Sequence, residues 1–128
     1  MDPMSLKYAP THEWARPEDG VVVVGITKFA VELLTDLVYI ALPSVGTVTQ
    51  KGKSFGEIES VKAVSDLYAP VDGEVVAINN SVADDPKKIS DDPFGTGWLI
   101  KIKPAAGATL DHLMDVEAYE KQLASEGH

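Results

Sequence analysis

Lys62 lies in ESVKAVSDLYAPVDGEV, residues 59–75, where two runs of strand-forming residues meet. Hairpin tips ordinarily carry a glycine-bearing pair such as Asn-Gly or Asp-Gly, because those residues tolerate positive φ. This tip reads Val61-Lys62-Ala63 instead, so turn chemistry alone does not account for it. A lysine amine held at such a tip can be acylated by a carboxylic group, although most lysines at turns are solubilising charges. The other chemistry-bearing residues are thinner candidates. His12, His112 and His128 are far apart and share no helical or hairpin spacing of a metal site. Serines and threonines occur without a G-x-S-x-G elbow, and neither a phosphate-binding glycine loop nor a dinucleotide fingerprint is present. Trp14 and Trp98 stand beside apolar strand residues, which favours packing over ligand stacking.

The acidic stretch ADDPKKISDDPFGTGW, residues 83–98, invites a calcium-loop reading and fails it. It lacks the glycine at the sixth position and the glutamate at the twelfth that such a loop needs. Asp85 before Pro86 predicts an N-cap and first residue of a short helix through Ile89. There is no cysteine, so thiol nucleophiles, thiolate metal sites and disulfides are excluded together. The formal net charge of −9 argues against nucleic-acid backbones and anionic lipid, and points to partners with basic rims. The segment Val21–Val45 is interrupted by Lys28, Glu32, Asp36 and Pro43, and the N-terminal MDPMSLKYAP lacks a signal-peptide pattern, so neither a membrane span nor a leader is expected. Met1–Pro3 is compatible with a native start or an added leader.

The elements that must present Lys62 follow from local patterns. Val21–Val24 is a β-branched run after Asp19-Gly20, which predicts a hairpin with Glu13-Trp14. Thr27 is an N-cap for a helix burying Phe29, Ala30, Leu33 and Leu34 and leaving Lys28 and Glu32 in solvent. A strand is expected at Val38–Leu42, ending at Pro43. The pattern P-x-x-G-x-V then occurs twice, as Pro43–Val48 and Pro70–Val75, and each copy is followed by a glycine-introduced strand, Gly56-Glu57-Ile58 and Gly97-Trp98-Leu99-Ile100. Two similar halves are implied, packed across a quasi-two-fold axis in a small sandwich or flattened barrel, with Lys62 between them. Leu110, Leu113 and Met114, then Val116, Tyr119 and Leu123, predict C-terminal helices over about 109–125, with Asp115 as a cap between them and a fraying tail from Ser125. One domain, 1–128 with its core at about 7–104, is expected at this length and 45% hydrophobic content.

In ESVKAVSDLYAPVDGEV the chain resembles the H proteins of the glycine cleavage system, small carriers that bear a lipoyl group on one lysine. The likeness extends in order through THEWAR (11–16), VGIT (24–27), DLVYIALPSVG (36–46) and ADDPKKISDDPFGTGWLIKIK (83–103). Biotin carriers typically flank their lysine with methionines. Lipoyl domains of 2-oxoacid dehydrogenases typically have an acidic residue before it and lack the N-terminal hairpin and C-terminal helices. The chain departs from the family pattern at Thr35, where glycine is common, at Ala41 and at Leu33.

The resemblance implies a mainly β barrel-sandwich hybrid of the lipoyl/biotinyl-like kind, a non-enzymatic shuttle, and lipoate attached covalently to Lys62. Glu59, Ser60, Val61, Ala63 and Asp66 near the tip are the candidates for recognition by lipoate-attaching enzymes, turn solvation being the other role open to Glu59, Ser60 and Asp66, and the resemblance implies that Thr11, Glu13 and Asp66 line the surface on which the loaded arm docks. It implies three visits. A pyridoxal-phosphate glycine decarboxylase loads an aminomethyl unit, a folate-dependent aminomethyltransferase removes it, and dihydrolipoamide dehydrogenase reoxidises the dithiol. A monomer in bacterial cytoplasm, or in the mitochondrial matrix for a processed eukaryotic form, is expected. A lipoate relay protein and an unmodified interaction scaffold are the alternative readings.

Overall fold

A computed structural model describes residues 6–125; Met1–Pro3, His128 and the tail beyond Ser125 lie outside the described residues. The chain is mostly β and folds as two sheets packed into a flattened sandwich. The larger sheet has the order β1 (Lys7–Tyr8), β2 (Glu13–Glu18), β3 (Val21–Ile26), β9 (Ile100–Pro104), β8 (Gly73–Ile78) and β5 (Val48–Thr49). The smaller one has the order β4 (Leu37–Ala41), β6 (Ser54–Ser60) and β7 (Val64–Tyr68). All pairings are antiparallel.

The β2–β3 hairpin closes through Asp19 (φ 50°) and Gly20 (φ 84°), with Glu18 opposite Val21. Two consecutive positive φ values are what a two-residue turn needs to match strand twist, and Asp-Gly supplies them at little cost. Farther along the hairpin Trp14 faces Gly25; a Cβ at Gly25 would lie 2.5 Å from the indole ring. Trp14 is fully buried, with its ring N–H donating to the Pro93 carbonyl at 2.9 Å, so it serves the core. Trp98 is half-buried against the same cluster, and Lys101 Nζ sits 5.1 Å from its ring centre.

The two P-x-x-G-x-V copies lie against one another. β5 pairs with β8, Val48 opposite Glu74, and Gly46 N–H donates to the Val75 carbonyl at 2.7 Å while Val75 N–H donates to that of Thr47 at 2.8 Å. Antiparallel pairing of equivalent segments is what a local two-fold requires. Val24, Ile40, Ile58, Leu67, Val75, Ile100 and Ile102 of the two sheets meet in one core, while Tyr8, Trp14 and Val23 form a second cluster with Leu6 and Tyr119.

Several expected boundaries shift. The strand expected to begin at Gly97 begins at Ile100: Gly97 N–H donates to the Asp92 carbonyl, holding the chain in a turn. Helix α3 is Lys87–Asp91 with Pro86 as cap residue, and Asp85 ends an additional helix, α2 (Asn80–Asp84). Asn79 was the available signal for α2, because its side chain accepts from Ser81 N–H. Among the described residues one C-terminal helix forms, α4 (Val116–Ser125); Leu110–Met114 is a set of turns in which Met114 bridges to Tyr8. Asp115 does cap, its Oδ1 accepting from Ala118 N–H at 2.9 Å.

Helix α1 (Lys28–Leu34) is capped by Thr27 as expected, but Ala30 and Val31 are its buried residues and Leu33 is exposed. The buried stripe runs through Ala30, Val31 and Leu34, and Leu33, about 110° from its centre, falls outside it. Its C-cap Thr35 has φ 64° and ψ −127°, a conformation unfavourable for a β-branched residue and easy for glycine. Thr35→Gly should therefore raise stability by about 1 kcal/mol; the check is the denaturation midpoint, which would stay level or fall if the Thr35 hydroxyl bond to the Leu34 carbonyl outweighs the strain.

Candidate functional site

β6 and β7 are joined by Val61, Lys62 and Ala63, the tip being closed by Ser60 N–H donating to the Ala63 carbonyl at 2.8 Å. The Ser60 side chain is buried beneath the tip, and its Oγ accepts from the N–H groups of Lys62 (3.2 Å) and Ala63 (3.1 Å). Val61 N–H donates to the Asp36 carbonyl at 3.0 Å, tying the tip to the start of β4. Hydroxyl acceptance and this outside anchor replace the glycine that such a turn usually needs. Ser60 therefore shapes the tip from within rather than presenting its hydroxyl to a partner. Val61, Lys62 and Ala63 are exposed. Among the described residues the Lys62 amine has no ion pair or hydrogen bond, so it is available for acylation.

The outer face of β4–β6–β7 approaches the tip in rows. Tyr39, Glu59 and Val64 are lateral neighbours, and Ala41, Glu57 and Asp66 form the next row. Tyr39, Val61 and Val64 are each more than half exposed, so acidic and apolar groups surround the amine. Glu59 and Asp66 are thus on the accessible face.

Glu13 is placed differently. It begins β2, is 1% exposed, and takes Tyr68 N–H on Oε2 at 3.0 Å and the Thr11 hydroxyl on Oε1. Tyr68 ends β7, the strand that starts beside Lys62, so the far end of the tip hairpin abuts this carboxylate. Burial pushes the Glu13 carboxyl up from 4.5 to about 7, against the opposing pull of the Thr11 hydroxyl and Tyr68 N–H. Thr11, Glu13, Lys51, Tyr68, Pro70 and His112 line a mostly apolar cleft of about 220 Å³.

The structure brings Thr11 and Glu13 together there. Asp66 is not in the lining; it lies two residues nearer the tip, its Oδ2 accepting from the Tyr68 hydroxyl at 3.5 Å. Sequence reasoning missed Tyr68, Lys51 and His112. Tyr68 alone carried a signal, since it shares the alternation of Asp66 along the strand. A larger, more open groove of about 500 Å³ follows β5 and β8 and contains no residue of the tip or of the Glu13 cleft. Among the described residues no group of three or more His, Asp or Glu could hold a metal ion, and no helix is long and apolar enough to cross a membrane.

Comparison with known proteins gives one consistent family. Residues 6–126 match the family model described as Glycine cleavage H-protein. A "Glycine cleavage system H protein" of Synechococcus sp. (strain JA-3-3Ab) is 54% identical over 91% of each chain. One from Carboxydothermus hydrogenoformans is 48% identical over 98% of this chain and 96% of its own. Among solved structures, a glycine cleavage system H protein from Mycobacterium marinum superposes with a TM-score of 0.89 at 42% identity, covering 96% of this chain and 99% of that one.

Proposed function

The chain belongs to the glycine cleavage H-protein family, the non-catalytic carrier of the glycine cleavage system, and from that premise we propose that Lys62 bears a covalent lipoyl group and that Thr11 and Glu13 receive its loaded end. The observation that carries the proposal is the combination of an accessible amine on a hydrogen-bonded tip with a buried carboxylate at the other end of the same hairpin strand. A lipoyl group in amide linkage would supply a dithiolane that takes up an aminomethyl unit and two electrons, gives the unit away, and is reoxidised by thiol-disulfide exchange.

The residues of this chain do the rest. Ser60 and Asp36 hold the tip so that an attaching enzyme meets Nζ in one geometry. Val61 and Ala63, both exposed and small, leave the amine unobstructed, and Glu59 and Asp66 offer charges for recognition. Along β7 the tip and the cleft are separated by one short strand, Lys62 to Tyr68 spanning about 20 Å. At the cleft the Glu13 carboxylate, oriented by Thr11 and Tyr68, can accept from an ammonium group, and the apolar lining excludes water from it.

Partnership with the glycine decarboxylase, the aminomethyltransferase, dihydrolipoamide dehydrogenase and a lipoate-attaching enzyme follows from the family. Serving each in turn suits a monomer with transient contacts, steered by a surface of net charge −9 toward basic rims. Relatives from bacteria such as Synechococcus and Carboxydothermus favour a bacterial cytoplasm over an organelle matrix.

Intact-mass analysis of the protein purified from lipoate-replete cells tests the attachment. The expected result is a gain of one lipoyl group, localised by peptide mapping to Lys62, with the net charge one unit more negative than −9. An unmodified chain under those conditions would leave an interaction scaffold as the better description.

A further inference from the structure

The cleft carboxylate depends on an unusual stretch of backbone. His12, between Thr11 and Glu13, has φ 79°, a left-handed conformation that residues other than glycine seldom adopt. Among the described residues, four interactions hold it there. Its N–H donates to the Ala9 carbonyl at 2.9 Å, its carbonyl accepts from Thr27 N–H at 2.9 Å, its ring packs on Phe29 at 4.9 Å, and its Nδ1 is 2.8 Å from the Tyr119 hydroxyl. Tyr119 comes from α4, the C-terminal helix, and is almost wholly buried. Its ring stacks on Tyr8 at 4.7 Å, and its hydroxyl also lies 2.7 Å from Thr27 Oγ1, the buried cap of α1.

One phenol therefore joins three elements at the residue that separates Thr11 from Glu13. Packing alone would be served by phenylalanine, since the Tyr8 stack does not use the hydroxyl. The hydroxyl does something a core residue need not: it ties the ring of a strained residue to a buried helix cap.

We propose that Tyr119, acting through His12, is a positioning residue that holds the Thr11–Glu13 turn against the cleft, so that α4 supports the carboxylate rather than merely covering the sheet. Its consequence for the loaded arm rests on the reading of Glu13 given above; the positioning itself does not. Removal of the hydroxyl frees His12 to leave its left-handed conformation, and Glu13 then swings partly into water. The titratable groups that face Glu13 across the cleft, Lys51 and His112, belong to other segments and are not moved by this change.

The test is Tyr119→Phe in the unlipoylated full chain, with the Glu13 side-chain carboxyl followed by NMR as pH is varied. The wild-type midpoint is expected near 7. The variant should titrate lower by about one unit or more, toward ordinary carboxyls, with α4 still folded. His12→Ala, which keeps the strain of an L-residue at positive φ and removes the ring that ties it down, should give a similar shift, and the double variant no more than either alone, because both break one link. This second variant also decides the matter if Tyr119→Phe fails to fold. A midpoint that stays with wild type in a folded variant overturns the proposal and leaves Tyr119 a packing residue. A shifted midpoint with an unchanged lifetime of the loaded protein supports the positioning role and counts instead against Glu13 as the receiver of the amine.

Discussion

Lys62→Arg is expected to abolish carrier function while leaving the fold intact. Arginine keeps the positive charge and the length of the side chain, but a guanidinium remains protonated at any physiological pH and is not acylated by an attaching enzyme. The position is exposed, and the hydrogen bonds that fix the tip all use backbone groups or Ser60, so stability should change by no more than about 0.5 kcal/mol. With the variant as the sole carrier, the protein mass should show no lipoyl gain and glycine-dependent turnover should fall to background. No other lysine is placed to compensate. Lys101 lies over the Trp98 ring, Lys28 opens α1, and Lys51 lines the Glu13 cleft. Glycine breakdown that continued undiminished would show that the amine is not the point of attachment.

The sequence carried the tip and the repeat because both are short-range. Two runs of alternating strand residues around Val61-Lys62-Ala63, and two copies of P-x-x-G-x-V, are periodic features that a chain can express without knowledge of its long-range contacts. Tertiary constraint decided the errors. Leu33 has a helical spacing that fits burial, yet the sheet receives the face of Ala30, Val31 and Leu34, which turns Leu33 outward. Leu110–Met114 has an apolar pattern that fits a helix, but Met114 is held by Tyr8 in a bridge with two 2.8 Å hydrogen bonds, and a paired backbone cannot also wind into a helix. The strand expected from Gly97 is delayed by the Asp92 carbonyl and side chain, which accept from Gly97 and Thr96. For the proposed site, the placement of Lys62 on a strand-flanked tip and of Glu13 in the first hairpin could be read from the sequence, but the environment of Glu13 could not. Its contact with Tyr68 spans most of the length between β2 and β7, and the hydroxyl that steadies its neighbour comes from α4. Ser60 shows the converse case, a residue placed in the right motif whose role lies inside the turn.

Glu13→Gln is the second large effect, and its two consequences have opposite signs. The folded-state pKa of about 7 lies above the ordinary value of 4.5. Between those values the native chain binds more protons than the unfolded one, so stability falls as pH rises from about 4.5 to about 7 and is level above. The drop amounts to about 3 kcal/mol at most. Glutamine keeps the shape and can still accept from Tyr68 N–H, but it carries no charge to desolvate. The variant should lack this pH dependence, and at pH 8 should unfold at higher denaturant than wild type, by about 1–3 kcal/mol. A buried charge that weakens its own fold calls for a compensating role, and an ammonium entering the cleft provides one, since the carboxylate then gains a partner in the same dry surroundings. The loaded Glu13→Gln protein should accordingly lose its aminomethyl unit to water about ten- to hundredfold faster than wild type, the span expected for one hydrogen bond to a charged group. A purely structural Glu13 would move stability and leave that lifetime alone. Equal lifetimes for wild type, Glu13→Gln and Glu13→Ala would remove the carboxylate from the proposed mechanism, whereas a more stable protein that guards its cargo less well is the outcome expected from it.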